Sequence, residues 1–470
     1  MNIKKLKLAS ALIIPLIVLL LPLEWIPIDE ITIIEHRVIA IFFLAALFWI
    51  LEPIPIYATS ILIIVLELLT ISDSSMTLFV SNSPNYGKII PYREIMYTFA
   101  SPIIMLFLGG FFLAIAAKKY YLDQNLARIL LKPFGTNPKM IMLGIMFITA
   151  IFSMFMSNTA TTAMMLSILV PIIAYFDPGD KGKIGFALAI PLAANIGGMG
   201  TPIGTPPNAI ALKYLTGSDS ISFSEWMAFG LPYVIILILI SWVLLMAIFP
   251  MKTKELNLEI KGKFSKNPKA YIVYVTFLLT ILLWLTDFLH GMNSYVVAMI
   301  PVAVFLSTRV LSKEDIKKIS WDVLWLVSGG IALGLALDKS GLARHVVASI
   351  PFSNFAPIAI IMSIAFLSAI MANFMSNTAT ANLLLPIMAA LGASVASLEL
   401  VGGAKTLVLI VALASSMGMT LPISTPPNAL AHATGVFETK DMARVGILVG
   451  LIGIFMIFGL IYILKMVNFL

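Results

Sequence analysis

Long apolar runs separated by short polar breaks occupy most of the chain. The first, Leu8 to Leu23, ends in Glu24, Trp25 and Pro27, the mixed charged and aromatic ending of a helix that meets a membrane interface. Lys4, Lys5 and Lys7 in front of it have the outline of a signal peptide, but no small-x-small cleavage site follows, so the run reads as a first transmembrane helix. Apolar runs follow at about 38–50 and 57–71, then a polar loop at 72–97 and a run at 101–117; later runs lie at about 184–215, 228–250, 270–288, 293–309, 322–338, 405–432 and 443–464. Two stretches, 139–174 and 355–393, are different, because each is long enough for two half-depth passes and carries small polar residues at its centre. Each reads as a re-entrant hairpin. With about 20 apolar residues needed per crossing, the pattern predicts an all-α polytopic membrane protein with eleven transmembrane helices plus two re-entrant hairpins.

Composition agrees, since 60% of the 470 residues are hydrophobic and 11% charged, against about 25% charged in soluble domains. The formal charge of +7 would point to a polyanion in a soluble protein. Here most Lys and Arg fall on one side of the predicted topology: Lys4 to Lys7, Lys118 to Lys139, Lys181 and Lys183, the lysines from Lys252 to Lys269, Arg309 to Lys318, and Lys440 with Arg444. The positive-inside rule then places the N-terminus in the cytoplasm and the chain in the cell membrane. If either hairpin were a full crossing, every later loop would change side, so the charges support the hairpins independently. The run 251–269 reads as a cytoplasmic connector; it lacks interleaved aromatics, and no nucleic-acid partner is expected. Cys is absent and His occurs four times, which excludes disulfides, thiolate metal sites and cysteine nucleophiles.

Residues 155 to 161 read Phe-Met-Ser-Asn-Thr-Ala-Thr, and residues 374 to 380 read the same seven, 219 positions later. Thr205-Pro-Pro-Asn-Ala209 and Thr425-Pro-Pro-Asn-Ala429 also match, as do Gly109-Gly110 and Gly329-Gly330. One unit therefore occurs twice. Five predicted crossings separate the two hairpins, so they enter from opposite faces, the inverted-repeat arrangement of secondary transporters whose sites lie near the midplane. On this reading 1–97 are N-terminal scaffold helices, 98–250 the first repeat with hairpin 139–174 and broken helix 184–215, and 270–470 the second with hairpin 355–393 and broken helix 405–432.

Ser, Asn, Thr and Pro-Pro in the middle of apolar runs are costly in lipid, because a broken helix exposes backbone groups that no water satisfies. They should face a protein-lined cavity. The Gly and Pro residues from Gly197 to Pro207 and from Gly418 to Pro427 would split each crossing into two half-helices. Carbonyls freed at a half-helix C-terminus suit a hard cation, and N–H groups freed at an N-terminus suit an anion. Ser and Asn oxygens can complete a Na⁺ shell, while Asn and Thr can donate to a carboxylate. The windows 140–176, 184–212, 354–398 and 406–431 hold no Asp, Glu, Lys, Arg or His, which disfavours a proton relay. Asn208 and Asn428 have a second reading as half-helix caps, and Glu67 and His290 read as interfacial. No His-Glu-x-x-His, intramembrane Asp pair or nucleophile with a His base is present, so an enzyme is not expected and no catalytic residue is assigned.

The paired Ser-Asn-Thr strings at 157–159 and 376–378, with the paired Thr-Pro-Pro strings, resemble the divalent anion/sodium symporter family of sodium-coupled dicarboxylate, citrate and sulfate carriers. The resemblance covers nearly the whole chain. It implies a homodimer that moves a transport domain against a fixed scaffold in an elevator-like cycle. Carried over by position, it implies a first Na⁺ site at Ser153, Ser157, Asn158 and the backbone of Gly204, and a second at Met375, Ser376, Asn377 and the backbone of Ser424. Substrate carboxylates would meet Asn158 and Thr159, Asn377 and Thr378, with Thr205, Pro206, Thr425 and Pro426 completing the cavity. The chain departs from the pattern at Ala372, where sodium-coupled members similar in sequence tend to carry a hydroxyl, whereas the first half has Ser153. The expected function is Na⁺-driven symport of C4-dicarboxylates such as succinate, malate or fumarate. A sodium-independent exchanger, or a carrier of sulfate, citrate or another divalent anion, is the alternative.

Overall fold

The structure is a computed structural model that describes residues 3–173, 176–177, 179–256 and 264–470. The middle of the predicted connector, with Lys261 and Lys263, and the end of the first predicted hairpin at 174–175 lie outside the described residues. Among those described, helices account for all regular structure, apart from an isolated bridge between Ser72 and Ile90. Their starts are written locally. Thr32 and Ser222 form capping boxes with Glu35 and Glu225, and Asn137 and Asn267 cap helices that open with proline, whose missing N–H costs nothing in the first turn.

The duplicated unit appears as a repeated order of elements. In the first copy, Pro102–Lys119, Leu122–Leu131, Pro138–Phe155, Asn158–Ile173, Gly182–Gly198, Pro206–Leu212 and Phe223–Ile248 follow one another. In the second, Trp321–Ser340, Leu342–Ala348, Pro357–Phe374, Asn377–Ser394, Gly403–Ser415, Pro426–His432 and Thr439–Met466 do so in the same order. Both hairpins break between the residues the sequence singled out, and both interrupted crossings break at the Gly and Pro clusters. The short amphipathic helices Leu122–Leu131 and Leu342–Ala348 were not anticipated. The hairpin arms exceed the expected half-depth: 18 residues in Pro138–Phe155 rise about 27 Å. Among the described residues eight helices are long and apolar enough to cross a bilayer, the first arm of each hairpin included.

Packing divides these elements into two groups. Hairpins, broken helices and the long helices Phe223–Ile248 and Thr439–Met466 contact one another, whereas Ile33–Leu51 and Ile56–Thr70 pack on Trp321–Ser340, and Pro102–Lys119 packs on Ser294–Ser307. The groups meet most extensively where Trp321–Ser340 and Leu342–Ala348 touch the arm Asn377–Ser394, and also where Ile33–Leu51 reaches that arm and Pro206–Leu212 reaches Pro102–Lys119 and Trp321–Ser340. The contact between Trp321–Ser340 and the arm is tight, because a Cβ on Gly330 would overlap the Asn382 carboxamide, and on the opposite neighbour one on Gly329 would overlap the backbone and Cβ of Ser60. Asn382 donates from Nδ2 to the Leu326 carbonyl at 3.2 Å, and Ser60 shares the same acceptor at 3.5 Å. Glu67 corrects an expectation: it is fully buried within Ile56–Thr70 and not interfacial. His290 ends the short helix Asp287–His290, bonded to the Leu283 carbonyl and the Met292 N–H.

Outside the spans, Asp180 fastens the start of the connector. Its carboxylate accepts from the backbone N–H groups of Gly182, Lys252 and Thr253 and from the Thr253 hydroxyl. Burial alone would raise its pKa, but these bonds outweigh it and hold the carboxyl below the usual range.

The glycine contact gives a direct test. Gly330→Ala should lower the stability of the purified protein by about 1–3 kcal/mol, as overpacked interiors do, read as a drop in melting temperature in detergent. Gly459→Ala, where an added methyl meets nothing within 4 Å, should leave it unchanged.

Candidate functional site: a polar cavity between the repeats

Each Ser-Asn-Thr string forms a helix start. Met156 and Ser157 end the first arm's helix, and the Ser157 hydroxyl accepts from the Ala160 N–H at 3.2 Å; in the second hairpin Ser376 accepts from Ala379 at 3.1 Å. Ser is thus the N-cap and Asn and Thr are the first two helical residues, whose backbone N–H groups have no partner within the helix. Two helix N-termini, from arms of 16 and 18 residues, therefore bring partial positive charge to the hairpin tips.

The Thr-Pro-Pro-Asn strings are built differently. Proline at the first two helical positions removes the two N–H groups that would otherwise point outward, so these half-helix starts offer hydroxyls and not backbone donors. The asparagine that follows serves the break itself: Asn208 Nδ2 donates to the carbonyls of Gly198, Met199 and Thr201 at 3.3, 3.3 and 2.8 Å. Asn428 Nδ2 likewise donates to the Leu421 carbonyl at 2.9 Å.

These parts converge on a cavity of about 400 Å³. Its wall includes Ser157, Asn158, Thr159, Gly204, Thr205 and Pro206 from the first repeat, and Ser376, Asn377, Thr378, Ser424, Thr425 and Pro426 from the second. Ser153 lies behind the wall, its hydroxyl 2.6 Å from Asn158 Oδ1 and 2.7 Å from the Ala194 carbonyl. Met375 is buried in the apolar core beside Ile33–Leu51 and Ile56–Thr70 and does not line the cavity.

The two halves differ in their oxygens. A Cβ on Gly198 would lie 2.7 Å from Asn158 Oδ1 and 2.9 Å from the Gly204 carbonyl, so the absent side chain leaves a small cradle edged by oxygen. Gly418 leaves the corresponding cradle beside Asn377 Oδ1 and the Ala372 carbonyl. Asn158 Oδ1 is held by Ser153, whereas Asn377 Oδ1 is buried with no hydrogen-bond partner among the described residues. Both cradles have the neutral, hard oxygen donors that suit a small alkali cation.

Sequence reasoning missed three residues here. Asn373 Oδ1 accepts from the Thr420 N–H at 2.9 Å and its carbonyl accepts from the Ser424 hydroxyl at 2.9 Å, which closes the second break. Asn195 joins the repeats, donating from Nδ2 to Thr425 Oγ1 at 3.2 Å and to Asn428 Oδ1 at 3.0 Å. Thr425 Oγ1 also accepts from the Asn428 N–H at 3.3 Å. With two bonds accepted, its own hydrogen is left to donate into the cavity. Thr205 meets only Ser416, at 3.4 Å. Asp322, at the start of Trp321–Ser340, also lines the cavity. A lone amide inside an apolar run was the one available signal for Asn195 and Asn373; Asp322 had none beyond its place at a helix start.

Two repeated units of broken helices and hairpins around a shared polar cavity define a multi-pass membrane transporter. Solved structures support the fold alone: the Alcanivorax borkumensis YdaH transporter matches with a TM-score of 0.55 at 12% identity over 88% of this chain and 98% of that one. MtrF of Neisseria gonorrhoeae, described within a class of antimetabolite efflux pumps, matches with a TM-score of 0.52 at 11% identity over 87% and 94%. The family model of the citrate transporters, CitMHS, matches residues 46–404. The chain belongs to this transporter family and is not an enzyme. Similar relatives include the sodium-dependent dicarboxylate transporter SdcS of Staphylococcus saprophyticus, 33% identical over 91% of this chain and 85% of that protein, and SdcS of Staphylococcus aureus, 34% identical over 90% and 85%.

The bridge between repeats carries a stability cost that can be measured. Asn195→Leu leaves Asn428 Oδ1 without its buried donor and Thr425 Oγ1 with only the Asn428 N–H, and the melting temperature should fall by the equivalent of about 1–3 kcal/mol. Ser416→Ala, which removes a 3.4 Å contact, should change it much less; equal losses in the two variants would refute the assignment of Asn195 as the bridge.

Proposed function

We propose that the chain is a secondary active transporter of C4-dicarboxylates such as succinate, malate or fumarate, coupled to Na⁺ symport. The observation that carries this reading is the convergence of both Ser-Asn-Thr tips on one cavity whose polar wall is almost entirely neutral. Asn158, Thr159, Asn377 and Thr378 would hold the carboxylates with side-chain and helix-start donors, and Thr425 would add a hydroxyl; Thr205, Pro206 and Pro426 complete the wall. Na⁺, as co-transported cargo, would take Ser153, Ser157, Asn158 and Gly204 on one side, and Ser376, Asn377, the backbone of Met375 and Ser424 on the other. The names of the staphylococcal relatives favour both the substrate class and the ion.

In this reading the chain crosses the cell membrane eleven times with a cytoplasmic N-terminus, the hairpins enter from opposite faces, and the protein works as a homodimer. The hairpins and broken helices move as one body against the scaffold of 1–97 and its partners. What supports such an elevator-like cycle is that the hairpins and broken helices pack extensively on one another, with fewer contacts from them to Ile33–Leu51 and Pro102–Lys119. A second reading, a sodium-independent exchanger, is favoured by one observation: at Ala372 the second cradle lacks the hydroxyl that Ser153 supplies in the first.

Uptake of radiolabelled succinate into proteoliposomes separates the two. Accumulation that requires an inward Na⁺ gradient and no internal substrate is expected; uptake that requires preloaded succinate and ignores Na⁺ establishes the exchanger. Asn158→Ala and Asn377→Ala should each abolish uptake, at least a hundredfold, while the melting temperature shows a folded protein. Wild-type uptake by either variant removes the site assignment.

A further inference from the structure

The cavity wall carries a single ionisable side chain among the described residues, and it has the same sign as the proposed cargo. Asp322 is exposed, whereas Thr205, Thr425 and Asn195, which line the same cavity, are buried, so its carboxylate is an accessible polar group of the wall. The repeat does not require a charge there. In the register that pairs Gly109-Gly110 with Gly329-Gly330, the equivalent position 220 residues earlier is Pro102, which carries no charge. Nor are the nearest basic side chains in sequence free to cancel it: Lys317 and Lys318 are paired with Glu314 at 2.8 Å and Asp315 at 3.3 Å.

A cavity of about 400 Å³ keeps every charge of a bound anion within roughly one Debye length of its wall, about 8 Å at physiological salt. The two hairpin helix starts attract a dianion without discriminating its charge number, so discrimination falls to a fixed opposing charge. We propose that Asp322 is a specificity-determining residue, a charge filter that holds the cavity to dicarboxylate dianions and weakens the binding of tricarboxylate trianions. This deepens the dicarboxylate reading and rests on it. At an effective dielectric between about 20 and 80, one further negative charge some 8 Å from the carboxylate binds about 2- to 30-fold more weakly.

The test is competition by unlabelled citrate and by unlabelled succinate against labelled succinate uptake in proteoliposomes, at an alkaline pH where citrate is fully ionised. In the wild type citrate should compete less well than succinate. Asp322→Asn should shift the citrate-to-succinate ratio toward citrate by about 2- to 30-fold, and the shift should shrink as ionic strength rises. Asp322→Glu should retain the wild-type ratio. Asp322→Ser reports the same ratio if the amide variant does not fold. An unchanged ratio in a neutral variant that still takes up succinate overturns the filter and leaves the dicarboxylate reading standing. A wild type that takes up no succinate overturns that reading and the filter with it.

Discussion

The structure depends on one constraint: two helices are broken inside an apolar interior, and every backbone group freed by the breaks needs a partner that neither lipid nor water supplies. Carboxamides provide most of them. Asn208 collects three carbonyls of the first break, and Asn428 and Asn373 close the second from opposite sides. Pro-Pro at the restart of each helix reduces the demand by deleting two donors. The Trp226 indole N–H adds a further bond to the Met199 carbonyl at 3.1 Å. The Thr-Pro-Pro-Asn string is therefore first a way of restarting a helix in a dry environment, and its threonine is what remains available to a ligand.

Neither break is closed by its own repeat alone. Asn195 of the first broken helix reaches Thr425 and Asn428 of the second, and Thr205 of the first meets Ser416 of the second. The half-helix Pro206–Leu212 packs on the second hairpin's arm Asn377–Ser394, and Pro426–His432 packs on the first hairpin's arm Asn158–Ile173. This reciprocal packing makes the polar cavity a property of the pair. It also lets the halves diverge: a long amide on one side and a short hydroxyl on the other give two chemically different threonines from one motif.

The electrostatics follow from the same economy. A buried arginine at the cavity would carry a large desolvation penalty when the cavity is empty, whereas helix starts and hydroxyls attract an anion without holding a net charge. The oxygen cradles beside Gly198 and Gly418 exist because a glycine stands where any other side chain would fill them. Glycine at 329 and 330 serves a different purpose, bringing Trp321–Ser340 against the Ser60 backbone on one side and the Asn382 carboxamide on the other. One residue type thus makes room for chemistry in one place and for close packing in another.

Hydropathy and the duplicated strings by themselves determined the helical membrane class, the two units, the positions of all four breaks and most of the polar residues of the cavity wall, because apolar run length and helix-breaking residues act locally. Partner choice across the repeats was not legible. Asn195, Asn373 and Asp322 look alike in sequence, as single polar residues in or beside apolar runs, and only the folded chain gives one of them a bridge, one a loop to close and one a place on the wall. Glu67 reads as interfacial by its position near a helix end, yet it is enclosed by neighbours from distant parts of the chain. Those outcomes depend on which surfaces meet, and contacts between residues some 200 positions apart are set by tertiary packing and not by any local pattern.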